Sequence, residues 1–210
     1  MIRLLLVDDH TMFREGLKQI LSKHEDIIVA GECGNGNDAL ALASSTRCDM
    51  VVLDISLPGR SGWEILSELR REHPELPVLI LSMHPEDQYA VRMLRAGASG
   101  YVGKDAAAEQ LVVAIRKVAG GGRYISPAVA EQIAFSVDRD PGLLPHETLS
   151  NREFQVMCLL ASGKGSKQIA SELFLSQPTV GTYRSRVLRK LGLRSTAELI
   201  RYALSHRLLG

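Results

Sequence analysis

Five short aliphatic runs, each followed by an amphipathic stretch, constrain this chain more than any other feature. The runs are Arg3–Val7, Ile27–Gly31, Met50–Leu53, Val78–Leu81 and Gly100–Val102. Their length and aliphatic content are those of strands. Apolar residues then recur at helical spacing near 11–23, 37–45, 62–72, 86–96 and 106–119. Strands separated by helices are joined by crossovers, so the sheet they form is parallel and covered on both faces. A right-handed, doubly wound α/β sheet of five strands is the expected fold for this half.

Three of the runs end in ionisable residues. Asp8 and Asp9 close the first, and Lys104 follows the fifth. Asp54 closes the third, directly before Ile55-Ser56-Leu57-Pro58-Gly59. Open α/β sheets bind ligands at the carboxyl ends of their strands. A flavodoxin-like order, with strands one, three and five side by side, would gather all four residues. Clustered carboxylates repel one another, and a divalent cation is the expected relief. An oxygen-only donor set on few protein groups suits Mg²⁺, which keeps waters and accepts phosphate oxygens. Such a site fits a carboxylate nucleophile, Asp54, that takes and holds a phosphoryl group paired with Lys104. A lone Asp before Pro-Gly is ordinary turn chemistry; the other three residues lift Asp54 out of that class. Gly34-x-Gly36-x-x-Ala39 imitates a dinucleotide fingerprint, but it follows the second strand rather than the first and reads as a βα loop.

Length and charge add a second half. At 210 residues the chain suits two domains. Residues 1–125 carry 14 basic and 17 acidic side chains, and residues 146–210 carry 10 and 4. A basic half joined to an acidic one points to a nucleic-acid partner for the former. No run approaches the ~18–20 apolar residues of a membrane span, and the amino terminus lacks a basic leader with a cleavage site. Cys33, Cys48 and Cys158 are odd in number and widely spaced, as expected of reduced thiols in a cytoplasmic protein.

A short helix near 127–136, announced by Ser126 and Pro127, precedes Val137-Asp138-Arg139-Asp140-Pro141-Gly142-Leu143-Leu144-Pro145, a linker by composition. Only helices follow. Ser150-Asn151-Arg152-Glu153 is a capping box for a helix stopping at Gly163, and Ser166–Phe174 is a second helix. Ser176 begins a third that ends at Gly192. Ser195-Thr196-Ala197-Glu198 is a capping box for the fourth, Thr196–Leu204. About three residues separate the second and third, which is helix-turn-helix spacing. The third, Pro178–Leu191, holds Arg184, Arg186, Arg189 and Lys190 and no acid, as expected of a helix lying on a polyanion.

The segments LLLVDDH (4–10), VLDISLPGRSGWE (52–64), LSMH (81–84) and GYVGKD (100–105) resemble the receiver domain of bacterial two-component response regulators. Residues 149–203 resemble the LuxR-type helix-turn-helix, and together the halves resemble the NarL/FixJ family. The resemblance implies a receiver over 1–122, a linker with a short helix over 123–146, and a four-helix DNA-binding domain over 147–210. It makes Asp54 the phosphoacceptor of a sensor histidine kinase. Asp9, with Asp8, Asp54 and the Ser56 backbone carbonyl, becomes the Mg²⁺ shell. Lys104 contacts the phosphoryl group, Ser82 senses it through its hydroxyl, and Tyr101 is the aromatic switch that turns inward. His84, two residues after Ser82, reads as a solvated loop histidine ahead of one that biases the hydrolytic water.

In the second half the resemblance places Ser166 and Lys167 on backbone phosphates. Thr179, Val180, Val187, Lys190 and Leu191 match the pattern, with Thr179 and Lys190 on the DNA side. Val180, Ile169 and Leu188 read as core. Gly181 stands where lysine is common and Tyr183 where histidine is usual. Base readout then falls on Thr182, Ser185 and Arg186, with Arg184 and Arg189 on phosphates. A helical glycine costs roughly 1 kcal/mol but lets the backbone approach the groove. Part of the last helix becomes a dimer surface. The expected function is a transcription regulator, not an enzyme with a separate substrate. Phosphorylation would promote homodimerisation and binding to double-stranded DNA, with RNA polymerase as a further partner and no membrane. Two alternatives stand beside it: a DNA-binding regulator indifferent to phosphate, and an Asp-nucleophile phosphatase. The latter lacks an apparent second carboxylate, since Ser56 occupies the position two after Asp54.

Overall fold

The computed structural model describes residues 1–84, 86–137, 144–206 and 208. In chain order they form β1 (Ile2–Val7), α1 (Thr11–Leu21), β2 (Ile27–Cys33), α2 (Gly36–Ser45), β3 (Met50–Leu53), α3 (Gly62–Glu72), β4 (Val78–Ser82), α4 (Glu86–Arg95), β5 (Gly100–Gly103), α5 (Ala108–Ala119) and α6 (Pro127–Val137). A 3₁₀ turn (Pro145–Thr148), α7 (Asn151–Ala161), α8 (Ser166–Glu172), α9 (Gln177–Leu191) and α10 (Thr196–Ser205) complete them. Contacts divide the chain into two compact units, Met1–Ala134 and Phe135–Gly210.

The first unit is the expected all-parallel five-stranded sheet, in the order β2-β1-β3-β4-β5. One detail differs from expectation. Strands one, three and five are not side by side, because β4 lies between β3 and β5. The reason is burial: every residue of Val78–Ser82 is buried, so both backbone edges of β4 need partners. The edges go instead to β2, where Ile28 is exposed, and to β5, whose rim is closed by the chain after α5. There Tyr101 donates its N–H to Tyr124 O, and Tyr124 to Ser99 O.

Strand alternation divides the core between the faces. Leu4, Leu6, Met50, Val52, Leu79, Leu81 and Val102 pack with Leu17 and Leu21 of α1 and Leu111, Ile115 and Val118 of α5. Leu5, Val7, Val51, Leu53 and Ile80 alternate with them and are equally buried, so both faces are covered. Each such side chain is worth about 1.5–3 kcal/mol of burial.

In the second unit α7 is buried continuously from Glu153 to Ala161, as expected of a central helix. Its capping box is complete: Ser150 Oγ accepts from Glu153 N–H, and Glu153 accepts from Ser150 N–H. Ser176 caps α9 at Thr179 N–H, and Gly192 ends it in the left-handed conformation. The box before α10 is only half formed. Ser195 Oγ accepts from Glu198 N–H, but the Glu198 carboxylate accepts from Arg194 N–H. Residues 138–143 of the expected linker lie outside the described residues, and Pro145 at its end opens the 3₁₀ turn.

Candidate functional site

Backbone geometry builds the first site. Asp8 N–H bonds Cys33 O at the end of β2, and Asp54 N–H bonds Val7 O at the end of β1. These bonds continue the sheet and set both carboxylates at its carboxyl edge. The Pro58-Gly59 turn follows, with Gly59 at φ +76°, a conformation suited to glycine. Gly62 then brings α3 back against the strand end: its N–H bonds Ile55 O, and a Cβ there would lie 2.5 Å from Asp54 O. Without that close approach the loop around Asp54 could not fold under the helix.

Lys104 begins the loop after β5 and bonds Ser82 O through its N–H. From two strands away, roughly 10 Å at the usual spacing, its stem crosses β4. Nζ ends 2.7 Å from Asp54 Oδ2 and 2.6 Å from Asp8 Oδ2, both carboxylates being about 2% exposed. The side-chain length thus replaces the strand adjacency that the sequence suggested. Asp9 is partly exposed, and ligand atoms of Asp8, Asp9, His10 and Asp54 lie within 4.8 Å of one another. Three carboxylates face one ammonium, so the site holds an excess of two negative charges. The donors are hard oxygens, and the cluster fits Mg²⁺ on charge and chemistry. His10 bridges Asp8 and Asp9 at 3.2 and 2.9 Å. Burial pushes the Asp54 carboxyl above its ordinary value; Lys104 and the Ser56 N–H, 3.0 Å from Oδ1, act against that, and the Asp8 charge adds to it.

Ser82 and Tyr101 are fully buried, and they meet at one residue. His84 N–H donates to Ser82 Oγ at 3.1 Å, and Tyr101 Oη donates to His84 O at 2.8 Å. The His84 ring stacks on Tyr89, centroids 4.5 Å apart, and Nε2 lies 3.2 Å from Ser56 Oγ. The expectation of a solvated histidine is therefore corrected. Stacking removes one ring face from water, and the backbone of His84 ties the two buried hydroxyls together.

The second site is the surface of α8 and α9. Val180, Val187, Leu188 and Leu191 turn inward, and Ile169 of α8 joins them in the core. Ser166, Lys167, Gly181, Thr182, Ser185, Arg186 and Arg189 are exposed, and Thr179 is half-buried. Several of the basic side chains are already engaged. Lys190 Nζ pairs with Glu153 at 2.6 Å, and Arg184 Nε donates to Thr196 Oγ1 at 3.0 Å. The Arg186 guanidinium stands 6.0 Å from the Tyr183 ring centroid. Burial pushes the Glu153 carboxyl up, but the Lys190 and Ser150 hydrogen bonds outweigh it and hold it below its ordinary value.

Residues 4–116 match the response regulator receiver domain, and residues 147–203 match the bacterial regulatory proteins of the luxR family. The chain is 38% identical over 207 residues to the response regulator GacA of Pseudomonas aeruginosa, covering 98% of this chain and 97% of that one. It is 36% identical over 209 residues to the response regulator UvrY of Escherichia coli K12, covering 99% and 96%. The chain belongs to the NarL/FixJ family of response regulators. Its fold is also that of Salmonella enterica serovar Typhimurium RcsB bound to the rprA promoter in the presence of the phosphomimetic BeF3−. That likeness has a TM-score of 0.66 at 24% identity and covers 98% of this chain and 100% of that one.

This response regulator thus carries a receiver and a LuxR-type DNA-binding domain, in a family of transcription regulators rather than enzymes. Among the described residues no helix is long and apolar enough to cross a membrane. Cys33 and Cys48 are free thiols, and burial pushes the Cys33 thiol up to about 11. The Gly34-x-Gly36 decoy also resolves: a Cβ at Gly36 would lie 2.4 Å from Ile65 Cδ1, so this glycine serves helix packing. Sequence reasoning passed over Phe13, whose ring centroid is 4.7 Å from Lys104 Nζ. It also passed over Arg14, which donates to Asp8 O. Both sit on the inward turn of α1, and their spacing from the Asp8–Asp9 pair is the only signal that could have marked them.

Proposed function

We propose that this response regulator is switched by phosphorylation of Asp54, and that the switch promotes dimerisation and sequence-specific binding to double-stranded DNA. The observation that carries the reading is the buried Asp8–Asp54 pair sharing one ammonium, with Asp9 at its rim. The Asp54 carboxylate attacks the phosphorus of a kinase phosphohistidine; the P–N bond breaks, the imidazole leaves with the electron pair, and an acyl phosphate forms. Asp8, Asp9, Asp54 and the Ser56 carbonyl would hold Mg²⁺, whose charge offsets the site's excess and that of the phosphoryl oxygens. Lys104 moves from the carboxylate to a phosphoryl oxygen. Ser82 donates its hydroxyl to another, which draws His84 and changes the contact that Tyr101 makes with it.

In the DNA-binding half, Ser166, Lys167, Thr179, Arg189 and Lys190 serve the phosphates, as does Arg184 through N–H groups not given to Thr196. Thr182, Ser185 and Arg186 face base edges. The domain limits of 1–122 and 147–210, the sensor kinase, RNA polymerase and a cytoplasmic setting belong to the same reading. Intact-mass measurement after incubation with acetyl phosphate and Mg²⁺ tests it. Wild type gains one phosphoryl group and Asp54→Ala gains none; equal labelling of both would remove Asp54 from its role.

A further inference from the structure

The interior of α9 holds a glycine that none of the described residues requires. Gly36 and Gly62 are forced by neighbours that a Cβ would strike, and Gly163 and Gly192 hold φ values of 83° and 67°. Gly181 has neither reason. It is helical and exposed, and a Cβ there would meet nothing within 4 Å. Alanine would favour the helix at such a position, so glycine weakens α9 without an intramolecular return.

Its surroundings repeat the theme. Pro178, Thr182 and Ser185 share the exposed side of α9 with Gly181. Both hydroxyls fold back on the helix: Thr182 Oγ1 donates to Pro178 O at 3.1 Å, and Ser185 Oγ to Gly181 O at 3.0 Å. On this one face, at Pro178, Gly181, Thr182 and Ser185, every side chain is short, and the backbone at Gly181 is open to a partner. The amino-terminal part of a recognition helix is also the part that meets base edges.

We infer that Gly181 sets how deeply α9 enters the major groove: its bare backbone seats against the base edges, and a single methyl there holds the helix off. This rests on the DNA-binding reading and deepens it. Gly16, interior to α1, has the same open space around its missing Cβ and supplies the control.

The test uses the full chain, phosphorylated with acetyl phosphate and Mg²⁺, and duplexes that the phosphorylated wild type recovers from a randomised library. Gly181→Ala and Gly16→Ala are both expected to raise the thermal midpoint of their own unit, by about 4 °C. Only Gly181→Ala should lose affinity for the recovered duplex, by about tenfold or more. Its dependence of log affinity on log salt should stay unchanged, because no phosphate contact is removed. Gly181→Ala binding as tightly as wild type would overturn the inference while leaving the DNA-binding reading intact. A wild type that recovers no duplex would remove that reading, and the inference with it.

Discussion

The receiver site and the DNA-binding surface hold their charges in opposite ways. In the first, Asp8 and Asp54 are buried at strand ends and share a lysine delivered from two strands away. Like charges are confined there at an energetic penalty, which a bound divalent cation would relieve. In the second, the buried carboxylate of Glu153 is fully provided for by Lys190 and a helix cap, and Arg186 and Arg189 are exposed on α9. The contrast separates a site poised to change its charge state from a surface built to keep one. Mutations can break that contrast at several levels.

The largest effect is expected from Lys104→Met. Removing the shared cation leaves two carboxylates buried together, and the loss of one partner from a buried pair costs about 3–5 kcal/mol. Urea unfolding followed by Trp63, the only tryptophan, reads the first unit alone. A loss below about 1 kcal/mol would mean that the carboxylates are not confined as described.

Next comes Glu153→Gln, expected to destabilise the second unit by about 2 kcal/mol, seen as faster hydrogen exchange in α7. Asp54→Asn should do the reverse and stabilise the first unit. The pH dependence sharpens the pair. The Glu153 carboxyl is depressed, so its stabilisation is present above the ordinary value of 4.5 and fades as pH falls through the folded value. The Asp54 carboxyl is raised, so the folded state is favoured below the ordinary value of 3.8 and loses that advantage as pH rises through the folded value. Both variant differences should therefore vanish in acid and grow toward neutrality with opposite signs. Differences of the same sign would contradict the contrast.

The gentlest test is Arg189→Ala. Stability should stay within about 0.5 kcal/mol of wild type. The slope of log affinity for duplex DNA against log salt should fall in magnitude by about 0.9, the share of one phosphate contact. An unchanged slope would take Arg189 off the phosphates.

These two sites were not equally legible in the sequence. Asp8, Asp9, Asp54 and Lys104 were readable because each abuts an aliphatic run, and strand ends are local signals. The place of β4 was not, since spacing identifies strands but does not order them, and a long lysine stem reaches past an intervening strand. His84 misled because its partners Ser56 and Tyr89 are set by the sheet and α4 rather than by local pattern. The caps at Ser150, Ser176 and Gly192 were legible as local chemistry. The Glu153–Lys190 pair spans 37 residues and has no local trace, so a lysine read as facing DNA also braces the helix beneath.

The central claim is that charge placed on Asp54 is converted into DNA affinity. Titrating a duplex recovered by the phosphorylated wild type against wild type and Asp54→Ala, each with and without acetyl phosphate and Mg²⁺, tests it directly. The account predicts tight binding for phosphorylated wild type alone, with the other three samples weaker and alike. Equal affinity in all four would contradict it.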